Sequence, residues 1–147
     1  YAAVAQDAQY KFLRFGIPAG ACTDTRVQLL AVNVLQPGDV VVVISVGGRL
    51  PELLELADRA RERGVAVVAL TASGTPLSRK ADAVIAVDAA EDSATLVPMI
   101  GRILQLLVVD ILTVGVAMRR PGETAGGAVA AGEDEAPMLA HLTQQGR

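Results

Sequence analysis

The stretch "DVVVVIS", Asp39 to Ser45, constrains this chain more than any other part of it. Valine is stiff at χ1 and fits an extended, pleated backbone. Four consecutive valines also leave no polar side chain on either side, so the strand they form is predicted to be covered on both faces. Two more apolar runs of strand length follow, "VAVVAL" at 65–70 and "AVIAVD" at 83–88. All-parallel sheets are covered on both faces, and parallel strands need crossover connections, usually helices. The alternation of such runs with helical segments predicts an α/β fold built on a doubly wound parallel sheet.

The helical segments carry their own punctuation. "YAAVAQDAQYKFLRFG" places Val4, Ala8 and Phe12 on one face and ends on Gly16. "IPAGAC" (17–22) reads as a short strand, and "TDTRVQLLAVNVL" as a helix that Thr23 or Asp24 can cap. "QPGD" has Pro and Gly at the centre of a type II turn. After the valine strand a helix starts at Pro51, where a missing N–H costs nothing, with Glu52 at its positive end. Leu53, Leu56 or Ala57, and Ala60 form its inner stripe, Glu55 and Arg59 pair outside, and Gly64 ends it. "GTPLSRKA" is a loop with one helical turn. The chain enters directly into a helix, whereas a doubly wound fold normally opens with a strand. A first strand, belonging mid-sheet, is therefore expected to be missing from this chain, which begins at Tyr1 rather than Met.

"SATLVPMIGRILQLLVVDILTVGVAMRR" (93–120) is long enough to be weighed as a membrane span. Arg102, Gln105 and Asp110 interrupt it, and unpaired charges at bilayer depth cost several kcal/mol. Apolar residues lie on nearly every side, so the expectation is a helix buried against the sheet and against a partner subunit, with no membrane contact. Beyond Arg120, "PGETAGGAVAAGEDEAP" is too poor in large apolar residues to build a core. The predicted organisation is one domain over 1–120 and a flexible tail over 121–147, where "MLAHLTQQGR" can form a short helix.

Composition narrows the function classes. Aromatic residues are 3% of the chain and Trp is absent, so the core must be aliphatic. The net charge of −3 argues against this chain itself gripping a nucleic-acid backbone. The single cysteine, Cys22, excludes an intrachain disulfide and a Cys-based zinc site, which fits a reduced, cytoplasmic setting. No signal peptide pattern opens the chain, because Asp7 falls in its first turns. Neither a metal-ligand cluster nor a cofactor motif is visible.

The candidate site is the loop that follows the valine strand, "ISVGGRLPE" (Ile44 to Glu52). In a doubly wound sheet, ligands sit at the carboxyl ends of strands, where loops feed helix N-termini. The amides of Val46, Gly47 and Gly48 can approach an anion closely, Ser45 offers a hydroxyl and Arg49 a charge. The competing reading is a plain strand-to-helix turn with Arg49 in solvent; a Gly-Gly pair alone does not choose between them. Elsewhere, Asp24 and Thr25 follow "GAC" and are cap residues first and ligand contacts second. Glu91, in "EDS", is a ligand candidate at the same edge, and Thr71, Ser73 and Thr75 offer three hydroxyls that suit a turn. Asp88 and the run from Glu133 to Glu135 read as solvated. His141, the one histidine, sits in the tail, away from any expected crevice.

Several separated segments, in order, resemble one family. "DVVVVISVGGRLPELLELADRARERGVAVVALT" is similar to the core of a SIS (sugar isomerase) domain, whose signature strand ends Ser-x-Ser-Gly-x-Thr-x-Glu. "DAQYKFLRFGIPAGACTD", "LTASGTPLSRKAD" and "RILQLLVVDILTVGVAMRR" resemble more narrowly the effector domain of RpiR-type transcription regulators, in the HexR-like branch that responds to sugar-metabolic phosphates. The resemblance covers roughly residues 3–120 and implies a flavodoxin-like SIS fold. It places Ser45, Gly48 and Glu52 on the signature positions. Gly47 and Leu50 replace its second and third hydroxyls, and at about 1 kcal/mol for each lost bond phosphate binding should weaken about thirtyfold. The family's other phosphate loop and its helix-turn-helix domain are not in this sequence. The resemblance thus implies a sugar-phosphate sensor, dimeric through its long helix, that reaches DNA only through a separate N-terminal domain. A sugar-phosphate isomerase and a dimerisation module with a decayed pocket are the alternatives.

Overall fold

The computed structural model of the protein describes residues 2–88 and 99–119. Five helices and three strands follow in the order α1 (Ala2–Arg14), α2 (Thr25–Val34), β1 (Val40–Ile44), α3 (Pro51–Glu62), β2 (Ala66–Thr71), α4 (Pro76–Lys80), β3 (Ala83–Ala86) and α5 (Met99–Met118). The strands form one parallel sheet in the order β1-β2-β3, with Val40 opposite Ala66 and Val68 opposite Ala83. The α/β doubly wound architecture read from the sequence is present.

Side chains alternate across a strand, and here the alternation sorts them into two cores. Val43, Val67 and Ala69 point into a cluster with Val32 of α2, Leu56, Ala57 and Ala60 of α3 and Leu77 of α4. Leu70 and Val87 point the other way, onto Val4 of α1 and Val109 of α5. Two helices end on glycine in the same manner. Gly16 (φ 70°) and Gly64 (φ 73°) donate to Leu13 and Arg61, and Ile17 and Val65 donate to Phe12 and Ala60. These are the paired bonds of a Schellman motif, which needs a left-handed residue at that point. At the turn before β1, Gly38 has φ 102° and Asp39 N–H donates to the Gln36 carbonyl, as a type II turn requires.

Two expectations need correction. Residues 17–22 are not a strand. A strand is held by a ladder, and no strand lies beside this segment among the described residues; side chains hold it instead. Ala21 N–H donates to Gln9 Oε1 at 2.9 Å, and Gln28 Nε2 to the Cys22 carbonyl at 2.9 Å. The valine strand is not covered on both faces: Val40 is 56% and Val42 39% exposed. Strand β1 is an edge strand among the described residues, so these side chains have a neighbour on one side only.

Helix α5 is covered on one face in the single chain. Its inward stripe is Gly101, Gln105, Val109, Thr113 and Ala117, while Ile103, Leu107, Ile111, Val114 and Met118 face out. By length and composition the helix could cross a membrane; one face of it packs on α1 and the sheet through Val109. Thr113 satisfies its hydroxyl on the Val109 carbonyl at 2.9 Å, whereas the buried Gln105 amide group has no hydrogen-bond partner among the described residues. Lys11 of α1 bridges Asp7 and Asp110, tying α1 to α5. The tail, 121–147, lies outside the described residues.

Candidate functional site

Strand β1 runs out at Ile44, and Ser45 N–H makes one more ladder bond, to the Leu70 carbonyl at 3.0 Å. The chain then turns sharply. The Ser45 hydroxyl is buried and accepts the Gly48 amide at 3.2 Å, closing a short ring. Both loop carbonyls on either side of Gly47 are consumed by the following β2–α4 turn. Ala72 N–H and the Thr71 hydroxyl donate to the Val46 carbonyl at 3.1 and 3.3 Å, and Leu77 N–H donates to the Gly48 carbonyl at 3.0 Å. Gly48 has φ +53°, and a Cβ there would lie 2.6 Å from the hydroxyls of both Thr71 and Thr75. Only glycine suits that position.

This arrangement leaves the loop one-sided. The carbonyls of Val46 and Gly48 are taken, while the amides of Val46, Gly47, Arg49 and Leu50 donate to nothing among the described residues. Helix α3 starts directly behind them, with Leu50 at the N-cap making no side-chain cap bond and Pro51 in the first turn. Uncapped amides and the helix dipole give this corner a positive character. Arg49 is exposed and forms no ion pair among the described residues, so its charge is unspent. Glu52, also exposed in the first turn, opposes it. A Cβ at Gly47 would meet nothing within 4 Å, so a side chain has room there.

The hydroxyls of the neighbouring turn are already engaged. Thr75 caps α4 by accepting Ser78 N–H at 3.1 Å and lies 3.2 Å from the Thr71 hydroxyl. Ser73 gives its amide and its hydroxyl to the two oxygens of Asp88, at 2.7 and 2.6 Å. These bonds favour the ionised form and hold the Asp88 carboxyl below the usual carboxylate range. Arg79 donates to the Gly74 carbonyl at 2.7 Å. Sequence reading placed Asp88 in solvent; it is exposed, but committed to Ser73. Nothing local signals the pairing, because the two residues lie on different strands' ends.

Ser45, Val46, Gly47, Gly48, Arg49 and Glu52 are thus brought together at one carboxyl edge. Asp24 is the N-cap of α2, where its Oδ1 accepts the amides of Arg26 and Val27 at 2.9 and 3.1 Å. Glu91 and His141 lie outside the described residues. Among the described residues, no group of three or more His, Cys, Asp or Glu side chains could hold a metal ion.

Residues 1–115 match the family model of the SIS domain. The chain belongs to the SIS-domain family. Within it, the chain is 49% identical over 117 residues to the "Bifunctional protein glk" of Burkholderia orbicola, covering 80% of this chain and 18% of that protein. It is 44% identical over 119 residues to the HTH-type transcriptional regulator HexR of Pseudomonas aeruginosa, covering 81% of this chain and 42% of the regulator. The SIS chain therefore spans well under half the length of these curated relatives. Among solved structures, the Vibrio vulnificus NanR protein complexed with ManNAc-6P superposes with a TM-score of 0.82 at 24% identity, covering 93% of this chain and 52% of that one. The sugar isomerase domain of the RpiR transcription factor from Sphaerobacter thermophilus gives 0.74 at 26% identity, covering 92% and 73%.

Proposed function

We propose that this SIS domain is the effector-sensing part of an RpiR-type transcription regulator of carbohydrate metabolism, and that the loop from Ser45 to Glu52 holds the phosphate of a sugar phosphate. The observation that carries this reading is the set of loop amides at the uncapped start of α3 that find no acceptor among the described residues, beside Arg49, which pairs with none of them. An anion placed there gains several charge-assisted bonds at once. The HexR relative and the sugar phosphate bound by NanR support the same chemistry. Ser45 has its acceptor side occupied by Gly48 and keeps its proton to donate. Asp24, whose Oδ2 is free of cap bonds, and Glu91 are proposed as contacts to sugar hydroxyls.

The site is a weakened one, since Gly47 and Leu50 bring no hydroxyl. The domain works as a sensor without catalysis or cofactor, in the cytoplasm. DNA contact belongs to a separate domain of the intact regulator. The outward stripe of α5 pairs two copies, and ligand acts by binding one subunit arrangement better than another. A thermal-shift titration with hexose and keto-acid phosphates tests the reading. A rise in Tm with at least one of them, and none with the unphosphorylated sugar, is expected. No rise with any phosphate overturns it. Solvent deuterium entering an aldose or ketose phosphate would instead establish the isomerase alternative.

The open α5 stripe favours one second reading, a dimerisation module whose pocket has decayed. It expects a stable dimer that ignores every phosphate.

A further inference from the structure

The anion loop does not stand alone; it is seated on the β2–α4 turn through Val46, Gly48, Thr71 and Thr75. The position of that turn therefore decides where the loop amides stand. The tip of the turn, Ser73 and Gly74, is itself fastened from outside. Asp88, just beyond β3, takes both the amide and the hydroxyl of Ser73, and Arg79 takes the Gly74 carbonyl. Gly74 has φ +67°, a left-handed conformation that glycine adopts without steric cost.

We infer that Asp88 is a positioning residue for the anion loop: by clamping Ser73 it fixes the turn on which Val46 and Gly48 rest, without touching the anion. The inference deepens the phosphate-binding reading and rests on it. Exposed ion pairs between long side chains contribute little, because two flexible chains must be ordered. Asp88 differs from these. It is short, it accepts two short charge-assisted bonds from one residue, and one of them comes from a backbone amide that has no freedom to leave. The lowered Asp88 carboxyl agrees with such bonding. Arg79 braces only a carbonyl of the same tip, so it does not substitute for the bonds to Ser73.

The test compares the wild-type protein with Asp88→Ala, Asp88→Asn and Ser73→Ala. Amide exchange is followed by NMR, and inorganic phosphate is titrated as the probe. Asp88→Ala should speed exchange at Gly48, Ala72 and Leu77 by about tenfold, the effect of losing a charge-assisted bond. Val43 and Ala69, in the sheet, should change much less. Phosphate should bind correspondingly more weakly. Asp88→Asn, which keeps an acceptor for the Ser73 amide, and Ser73→Ala, which keeps the amide bond, should fall between the two and cover the case in which the alanine variant does not fold. Unchanged exchange at Gly48 and Leu77 overturns the inference, and so does an equal acceleration at every amide. Because exchange is read without ligand, a wild-type protein that ignores phosphate would sink the functional reading while leaving the clamp separately decided.

Discussion

The hydroxyl of Ser45 accepts the amide of Gly48 at 3.2 Å, in a position where both residues are buried. That bond shapes the loop before any ligand arrives. In Ser45→Ala the Gly48 N–H is left buried without an acceptor, a loss of about 1–2 kcal/mol. The expected result is a lower Tm in calorimetry together with weaker phosphate binding. A decayed pocket would instead show the first effect and not the second.

Gly47 and Gly48 should respond oppositely to the same change. Gly48→Ala puts a Cβ into the hydroxyls of Thr71 and Thr75 at a left-handed φ, for a cost of about 2–4 kcal/mol. Gly47→Ala meets open space and should stay within about 1 kcal/mol of wild type. Urea unfolding of the two variants, side by side, measures the difference.

The missing hydroxyls can be restored. Gly47→Ser with Leu50→Thr should tighten phosphate binding by about thirtyfold, at about 1 kcal/mol per recovered bond. Leu50 is the uncapped N-cap of α3, so threonine there also adds up to about 1 kcal/mol of stability with no ligand present. Affinity must therefore be read by calorimetric titration, not by thermal shift alone. A stabilised protein with unchanged affinity would identify a decayed site.

The outward face of α5 tests the proposed dimer. Leu107 and Ile111 are 52% and 64% exposed in the single chain. Replacing both with glutamate should leave the fold intact by circular dichroism yet shift sedimentation from dimer to monomer. A dimer that survives the double change places the interface elsewhere.

Lys11 carries a pH signature. Its hydrogen bond to Asp110, and then that to Asp7, raise its pKa above the ordinary 10.5. A raised folded pKa contributes stability that is fully present below the unfolded value and is lost as pH rises through the folded one. The bridge is partly exposed, so its worth is at most about 1 kcal/mol. The stability gap between wild type and Asp110→Asn, from urea midpoints, should hold steady from neutral pH to about 10 and narrow above it.

Local patterns made much of this legible. The capping carboxylate of Asp24, the glycine stops at Gly16 and Gly64, the inner stripe of α3 and the type II turn at Pro37 and Gly38 follow from short-range sterics and hydrogen bonding, which a few neighbouring residues fix. The loop from Ser45 to Glu52 was visible for the same reason: an apolar strand, two glycines and a Pro-Glu start fall within nine residues.

The tertiary structure decided what depends on distant partners. Residues 17–22 have strand-like composition but no neighbouring strand to bond, and the valines of β1 are half open because β1 is an edge among the described residues. Helix α5 is apolar nearly all round, so periodicity could not say that Gln105 and Thr113 turn inward while Ile103 and Leu107 turn out; packing on α1 and the sheet chose. The seat of the loop from Ser45 to Glu52 is of this kind too. Gly48 needs to be glycine because Thr71 and Thr75 arrive from the next turn, and Asp88 reaches Ser73 only because β2 and β3 lie side by side. The sequence by itself determined the elements and the loop, since their causes are local. Only the folded chain decided how that loop is held, because its supports come from residues that contact one another through the sheet.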